Sequence, residues 1–391
     1  MSTIIKSFIN FSIRFKLSIF FLIFISSVLF KWQNSSFFIE NMIGWDLQVY
    51  FCGTKLWLQE LNPYDTNILR SCLADNLPYF YNFPPFVLYI FIPIYNVDFN
   101  IFWLVLNSIN LFLIFKISII FINRIDMSFF QALLFVSSLL MIFSSGILVS
   151  MVSGNLGFLI SLITIYLFLK YSENNNSFFF YYIVLISLYK PLYICYLIII
   201  FLKKDSYLSC FIEFAKYFTT YLIFSFFLYY LMNYEYNLYF TNLALLFESE
   251  DKGFGILQFF NNKNVNDFFQ LLIIFILNLS LLFFLKRRFK LINFTFEEII
   301  ILIPIIVQIF FPRIKIYEVT FSVFSLCAFP IFLYKRKFNF KYILIIIISI
   351  FLPFYLTDNL EHPIFIVTVV LPLIFVIKYL YDLSNDKMFY T

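Results

Sequence analysis

Gly44-Trp45-Asp46-Leu47-Gln48-Val49-Tyr50 opens a polar island in an otherwise apolar chain. The island continues through Asn62-Pro63-Tyr64-Asp65 and closes at Tyr81-Asn82-Phe83-Pro84-Pro85. An apolar run over 13–31 precedes it, and another over 83–97 follows it. A simple membrane anchor has no use for an aromatic, acid-bearing loop between two spans. The stretch therefore reads as the working part of a protein that crosses the membrane repeatedly.

Composition fixes that class. Of 391 residues, 62% are hydrophobic and only 13% charged, with 61 Phe and 28 Tyr. Soluble domains average about 45–50% apolar and about 25% charged. The expectation is one all-α polytopic membrane domain over 1–391. The Ile, Phe, Asn and Lys bias fits AT-rich coding, which lowers the weight of any single aromatic stripe. A net charge of +5 is small for this length. The basic residues sit in short loops, so they signal topology and not a nucleic-acid surface. Arg14 and Lys16 precede the first apolar run with no small-residue cleavage site, so that run is expected to stay as an anchor.

A helix needs about 20 apolar residues to cross the hydrocarbon core, and about twelve runs are candidates, of which the second and fifth are short enough to tilt or stop part-way. They lie near 13–31, 83–97, 101–122, 129–151, 155–170, 178–201, 211–232, 268–285, 296–311, 316–334, 341–357 and 363–381. Basic clusters occur at Lys6/Arg14/Lys16, Lys203-Lys204, Lys286-Arg287-Arg288 and Lys335-Arg336-Lys337. Even numbers of spans separate them, which places all of them, and both termini, in the cytoplasm. Loops 32–82 and 233–267 then lie outside. Arg124 dissents, falling at an outer end beside Asp126.

Within the first loop, Leu47, Tyr50, Phe51, Thr54, Trp57, Leu58 and Leu61 recur at steps of three and four. That spacing predicts an amphipathic helix lying flat in the headgroup layer, aromatics down. Asp46 begins it, and Asn62-Pro63-Tyr64-Asp65 ends it as a turn. Cys52 and Cys72 share the loop. They are either a disulfide or free apolar thiols, the latter being the commoner case, and none of the five Cys forms a CxxC pair or a Cys/His cluster.

Asp46 is the leading catalytic candidate. A carboxylate beside the bilayer can take a proton from a hydroxyl that attacks a lipid-linked group. It is also an ordinary helix N-cap residue. Asp65 carries the same ambiguity between a substrate-binding acid and a turn-forming one. Arg313 and Lys315, in Pro312-Arg313-Ile314-Lys315-Ile316-Tyr317, are suited to a lipid phosphate, or else snorkel to headgroups. Lys190, in Tyr189-Lys190-Pro191, falls mid-span, where a charge costs about 2.5–3.5 kcal/mol, and Pro191 frees carbonyls beside it. Tyr50, Tyr64, Tyr81, Asn155 and Tyr317 are further substrate-binding candidates. Ser153-Gly154-Asn155 breaks an apolar run, which a tight helix-helix turn explains equally well. There is no Asp-x-Asp, Walker loop, dinucleotide fingerprint or zinc motif, so no metal or cofactor is expected.

Trp45-Asp46, Tyr50 and Gly53, then Asn62-Pro63-Tyr64-Asp65 and Tyr81-Asn82-Phe83-Pro84-Pro85, resemble the first-loop signature of GT-C-fold glycosyltransferases. The match is to glycosyltransferase family 87, also called the DUF2029 family. Gly154-Asn155 resembles its Gly-Gln step, with Asn in place of Gln. Tyr189-Lys190-Pro191 followed by Lys203-Lys204 resembles its Lys-Pro helix and basic turn. Pro312-Arg313-Ile314-Lys315-Ile316-Tyr317 resembles its Pro-Arg-x-Lys-x-Tyr element, with Ile316 where Asp or Asn is usual. Cys52 replaces the usual small residue before Gly53.

The resemblance implies a hexosyltransferase of the plasma (inner) membrane. The donor would be a polyprenyl-phosphate hexose, mannose-like, and the acceptor a glycolipid or glycan on the extracytoplasmic face. It implies inverting transfer with Asp46 as general base and no metal. The alternatives are a polysaccharide polymerase or ligase, which tends to carry Arg-rich external loops, and a lipid-linked-sugar transporter or flippase, which should show inverted repeats.

Overall fold

A computed structural model describes residues 44–73, 81–142, 148–174, 177–202, 206–248, 276, 278–287, 294–311, 320–336, 343 and 374–380. The first expected span, all of 249–275, most of the expected spans 341–357 and 363–381, Lys203-Lys204, and Arg313, Lys315 and Tyr317 lie outside these residues. Every regular element among the described residues is helical. They are α1 (Trp45–Leu58), α2 (Thr66–Cys72), α3 (Phe86–Phe91), α4 (Phe99–Arg124), α5 (Phe129–Ile142), α6 (Leu148–Val152), α7 (Leu156–Asn174) and α8 (Phe178–Tyr189). A 3₁₀ segment (Pro191–Leu202) follows, then α9 (Tyr207–Leu231), α10 (Asn233–Glu248), α11 (Phe296–Ile309) and α12 (Thr320–Lys335).

Among the described residues, three helices are long and apolar enough to cross a membrane: α4, Leu156–Glu173 of α7, and α9. The core between them is built from α4, α7, α8, the 3₁₀ segment, α11 and α12. Residues Thr320 through Leu333 of α12 are all buried, so this helix runs through protein on every side.

Two expected spans take another form. The run 83–97 yields only the six-residue α3, about 9 Å long, followed by turns as far as Val97. Pro84, Pro85 and Pro93 withhold amide hydrogens there, and Asp98 then caps α4 by accepting from Asn100 N and Ile101 N at 2.9 and 3.1 Å. The run 178–201 breaks at Lys190, whose backbone is extended (φ −143°, ψ 105°) ahead of Pro191. Phe180 packs on Tyr217 and Phe201 on Phe214, three residues apart on α9. The two halves also pack on each other, so the chain folds back at Lys190-Pro191 instead of running on. The returning half is 3₁₀ for 12 residues, whereas such runs rarely exceed about 3–4.

These departures overturn the placement of Arg124. Arg124 pairs with Glu173, Lys335 donates to the carbonyls of Ile125 and Asp126, and Arg336 lies 3.3 Å from Glu298. The ends of α4, α7 and α12 and the start of α11 therefore share one end of the bundle. The twelve-span count sets Arg124 and Lys335 at opposite faces.

The first-loop helix differs too. Leu47, Val49, Tyr50, Gly53, Thr54 and Leu56 of α1 are buried, while Leu58 and Leu61 are 41% and 44% exposed. α1 is wedged between two aromatic clusters and does not lie on one apolar stripe. Part of the expected loop 233–267 is the helix α10, which packs on the first loop: Asn242 Nδ2 donates to the Tyr81 carbonyl at 3.0 Å. Cys52 and Cys72 form a disulfide, with Cα atoms 5.7 Å apart, joining α1 to α2. Free thiols are the commoner case in sequence, but helix packing here faces the two side chains toward each other.

Candidate functional site

The site grows from the contact between the start of α1 and the turn 152–155. Gly44, in left-handed backbone (φ 67°), is the residue before α1 and offers no side-chain cap. The turn acts as the cap: Leu47 N donates to Ser153 O at 3.2 Å, and Gly44 N to Val152 O at 2.9 Å. Trp103 Nε1 of α4 donates to the same Val152 carbonyl at 2.8 Å, which fixes the turn against the bundle.

Asp46 is the second residue of α1 and does not cap it. Its Oδ2 accepts from Ser153 Oγ at 2.7 Å and from Asn155 Nδ2 at 2.9 Å. Asn155 in turn accepts from Gly157 N through Oδ1 at 2.7 Å, so one amide caps α7 and orients the carboxylate. Asn155 is thus a holder of Asp46 in this structure and not a free substrate-binding group. Between the two donors, Gly154 adopts φ 73°, and a Cβ there would stand 2.8 Å from Leu47 Cβ. Gly154→Ala is expected to destabilise the protein by about 1–2 kcal/mol for the left-handed backbone alone. It should also push α1 off the turn, and a thermal melt read beside an activity assay checks both effects.

Lys190 is not at mid-span. It sits at the fold-back, half-buried, with Nζ 5.9 Å from the Tyr193 ring centre. The preceding residue, Tyr189, touches Tyr50 hydroxyl to hydroxyl. Tyr50 lies one turn beyond Asp46 on α1, so the structure gathers Asp46, Tyr50, Asn155 and Lys190 at one end of the bundle. Ser153 and Tyr189 join them. The polar break Ser153-Gly154-Asn155 in an apolar run was the visible signal for Ser153, and Tyr189 carried none beyond its place next to Lys190. The flanks of the undescribed segment 312–319 meet on one ring, because Phe311 and Phe321 both contact Tyr196 at 4.9 and 4.6 Å. Tyr196 stacks on Tyr193, below Lys190.

The other candidates have structural roles. Asp65 caps α2, accepting from Asn67 N and Ile68 N at 2.8 and 3.4 Å. Tyr64 donates to the Phe83 carbonyl at 3.0 Å and packs on Tyr81 and Tyr239. Tyr81 covers Gly53, where a Cβ would fall 2.3 Å from its ring. Tyr50, Tyr64 and Tyr81 are buried, so protein and not sugar covers their rings. Burial pushes the Tyr64 and Tyr81 phenols well above their usual range, so both stay protonated and neither serves as a base. Among the described residues no His, Cys, Asp and Glu cluster has the grouping of a metal site. No protein-family model, curated protein or solved structure matches the chain.

Proposed function

We propose that the protein is a membrane glycosyltransferase of the GT-C type, resembling family 87. It moves a mannose-like hexose from a polyprenyl phosphate to a glycolipid or glycan. The observation that carries this reading is the buttressed Asp46 carboxylate at the same end of the bundle as Lys190. A carboxylate oriented by Ser153 and Asn155 is placed for proton transfer, and a cation beside a helix break has the charge that suits an anionic headgroup.

In this mechanism the acceptor hydroxyl oxygen forms a bond to the anomeric carbon while Asp46 takes its proton. The bond from that carbon to the phosphate oxygen breaks, and the electron pair leaves with the lipid phosphate. Lys190, with Arg313 and Lys315, offsets the charge on the departing phosphate. Attack opposite the leaving group inverts the anomeric centre. The deciding experiment incubates purified protein with radiolabelled polyprenyl-phosphate hexoses and a native lipid extract. Transfer of label to a lipid or glycan supports the reading. Label that crosses the bilayer without changing carrier would assign the protein to the transporters instead.

The site faces the extracytoplasmic side of the plasma membrane, and the charged end that holds Arg124, Lys335 and Arg336 faces the cytoplasm, in keeping with positive-inside bias. A cysteine placed at Ser128, just past α4, should react with a membrane-impermeant maleimide only after permeabilisation. Labelling of intact cells at that position would restore the twelve-span arrangement.

A further inference from the structure

The Tyr50–Tyr189 contact links two parts of the site that chain connectivity leaves independent. Asp46 and Tyr50 are on α1, in the first loop. Tyr189 and Lys190 stand where α8 ends and the chain folds back. Their separation is 139 residues in sequence, yet the two hydroxyls touch.

We propose that Tyr50 and Tyr189 are positioning residues that set where Lys190 meets the donor phosphate relative to Asp46. This rests on the functional reading above. Lys190 is followed by Pro191 and has extended backbone, so the last helical residue before it is the nearest fixed point. That residue, Tyr189, is fixed by α1. Its ring stacks on Phe83 at 5.7 Å and 19°, and Phe83 packs on Tyr50 at 4.2 Å. Tyr50 stacks on Phe91 at 4.9 Å and 5° and is fully buried. The Tyr81 ring presses on Gly53, one turn further along α1. At the other end of the same helix, Ser153 and Asn155 hold Asp46. A single rigid path therefore runs from Asp46 along α1 to Tyr50, across to Tyr189 and on to Lys190.

The packing of these rings does not need the hydroxyls, which makes the idea separable from a merely structural role. Tyr50→Phe and Tyr189→Phe keep the stacks and remove only the polar contact. The full-length protein in lipid nanodiscs is titrated with undecaprenyl phosphate, and melting temperatures are read on the same samples. Each single variant is expected to bind the phosphate about tenfold more weakly, the scale of one hydrogen bond. The double variant should be no weaker than either single, because all three lack the same contact. Parent-like affinity in Tyr50→Phe, which does not adjoin Lys190, would overturn the positioning role and leave the glycosyltransferase reading standing. Additive losses in the double variant would overturn it as well. A lower melting temperature with unchanged affinity of the folded protein would reduce the pair to packing. Failure of the parent protein to bind undecaprenyl phosphate would overturn the functional reading itself.

Discussion

Asp46→Asn is expected to lower the rate of hexose transfer by about 10²- to 10⁴-fold, the usual effect of removing a general base. The fold should survive, because the Asn carbonyl oxygen can replace Oδ2 as acceptor from Ser153 and Asn155. The amide oxygen is far too weak a base for an acceptor hydroxyl, so only chemistry is lost. Asp65→Asn is the control. Asp65 caps α2, and Asn caps about as well as Asp, so both stability and turnover should hold. Rates and melting temperatures of the two variants side by side decide the matter. Near-normal turnover in a folded Asp46→Asn protein would remove the general base and the mechanism with it.

The second large effect is expected at Lys190. Lys190→Gln should weaken use of the lipid-phosphate donor about ten- to a hundred-fold, since a hydrogen bond to a charged group contributes about 1.5–3 kcal/mol. The acceptor KM should change little, because the acceptor hydroxyl meets Asp46. Stability should change little, since Lys190 is half-buried at the fold-back and Gln keeps most of its stem. Arg313→Ala and Lys315→Ala are expected to act in the same direction if they share the phosphate. Donor kinetics like those of the parent in Lys190→Gln would return this lysine to a solvated bend.

Hydrophobic run length and composition determined much of this molecule without help. The helix α4 follows the apolar run 101–122 within two residues at each end, and α9 likewise contains 211–232 up to its last residue. A run of that length in lipid has one way to satisfy its backbone, and that way is local. Asp46 and Lys190 were also legible, because a charge flanked by apolar residues is conspicuous wherever it falls. The dipeptide Lys190-Pro191 announced a break, since proline withholds an amide hydrogen.

What the sequence left open was decided by contacts between distant segments. Whether 178–201 crosses or folds back depends on both halves finding places against α9, which no local pattern encodes. Arg124 shares its end of the bundle with Lys335, a placement that the count of spans, and not charge bias, missed. Cys52 and Cys72 paired because α1 and α2 turn toward each other. Asp46 was readable as a helix cap, the commoner case, or as a working carboxylate. Its place as the second residue of α1, and its contacts with Ser153 and Asn155, 107 and 109 residues away, came only with the fold. Local physics fixed which groups were costly to bury, and tertiary packing fixed which of them meet.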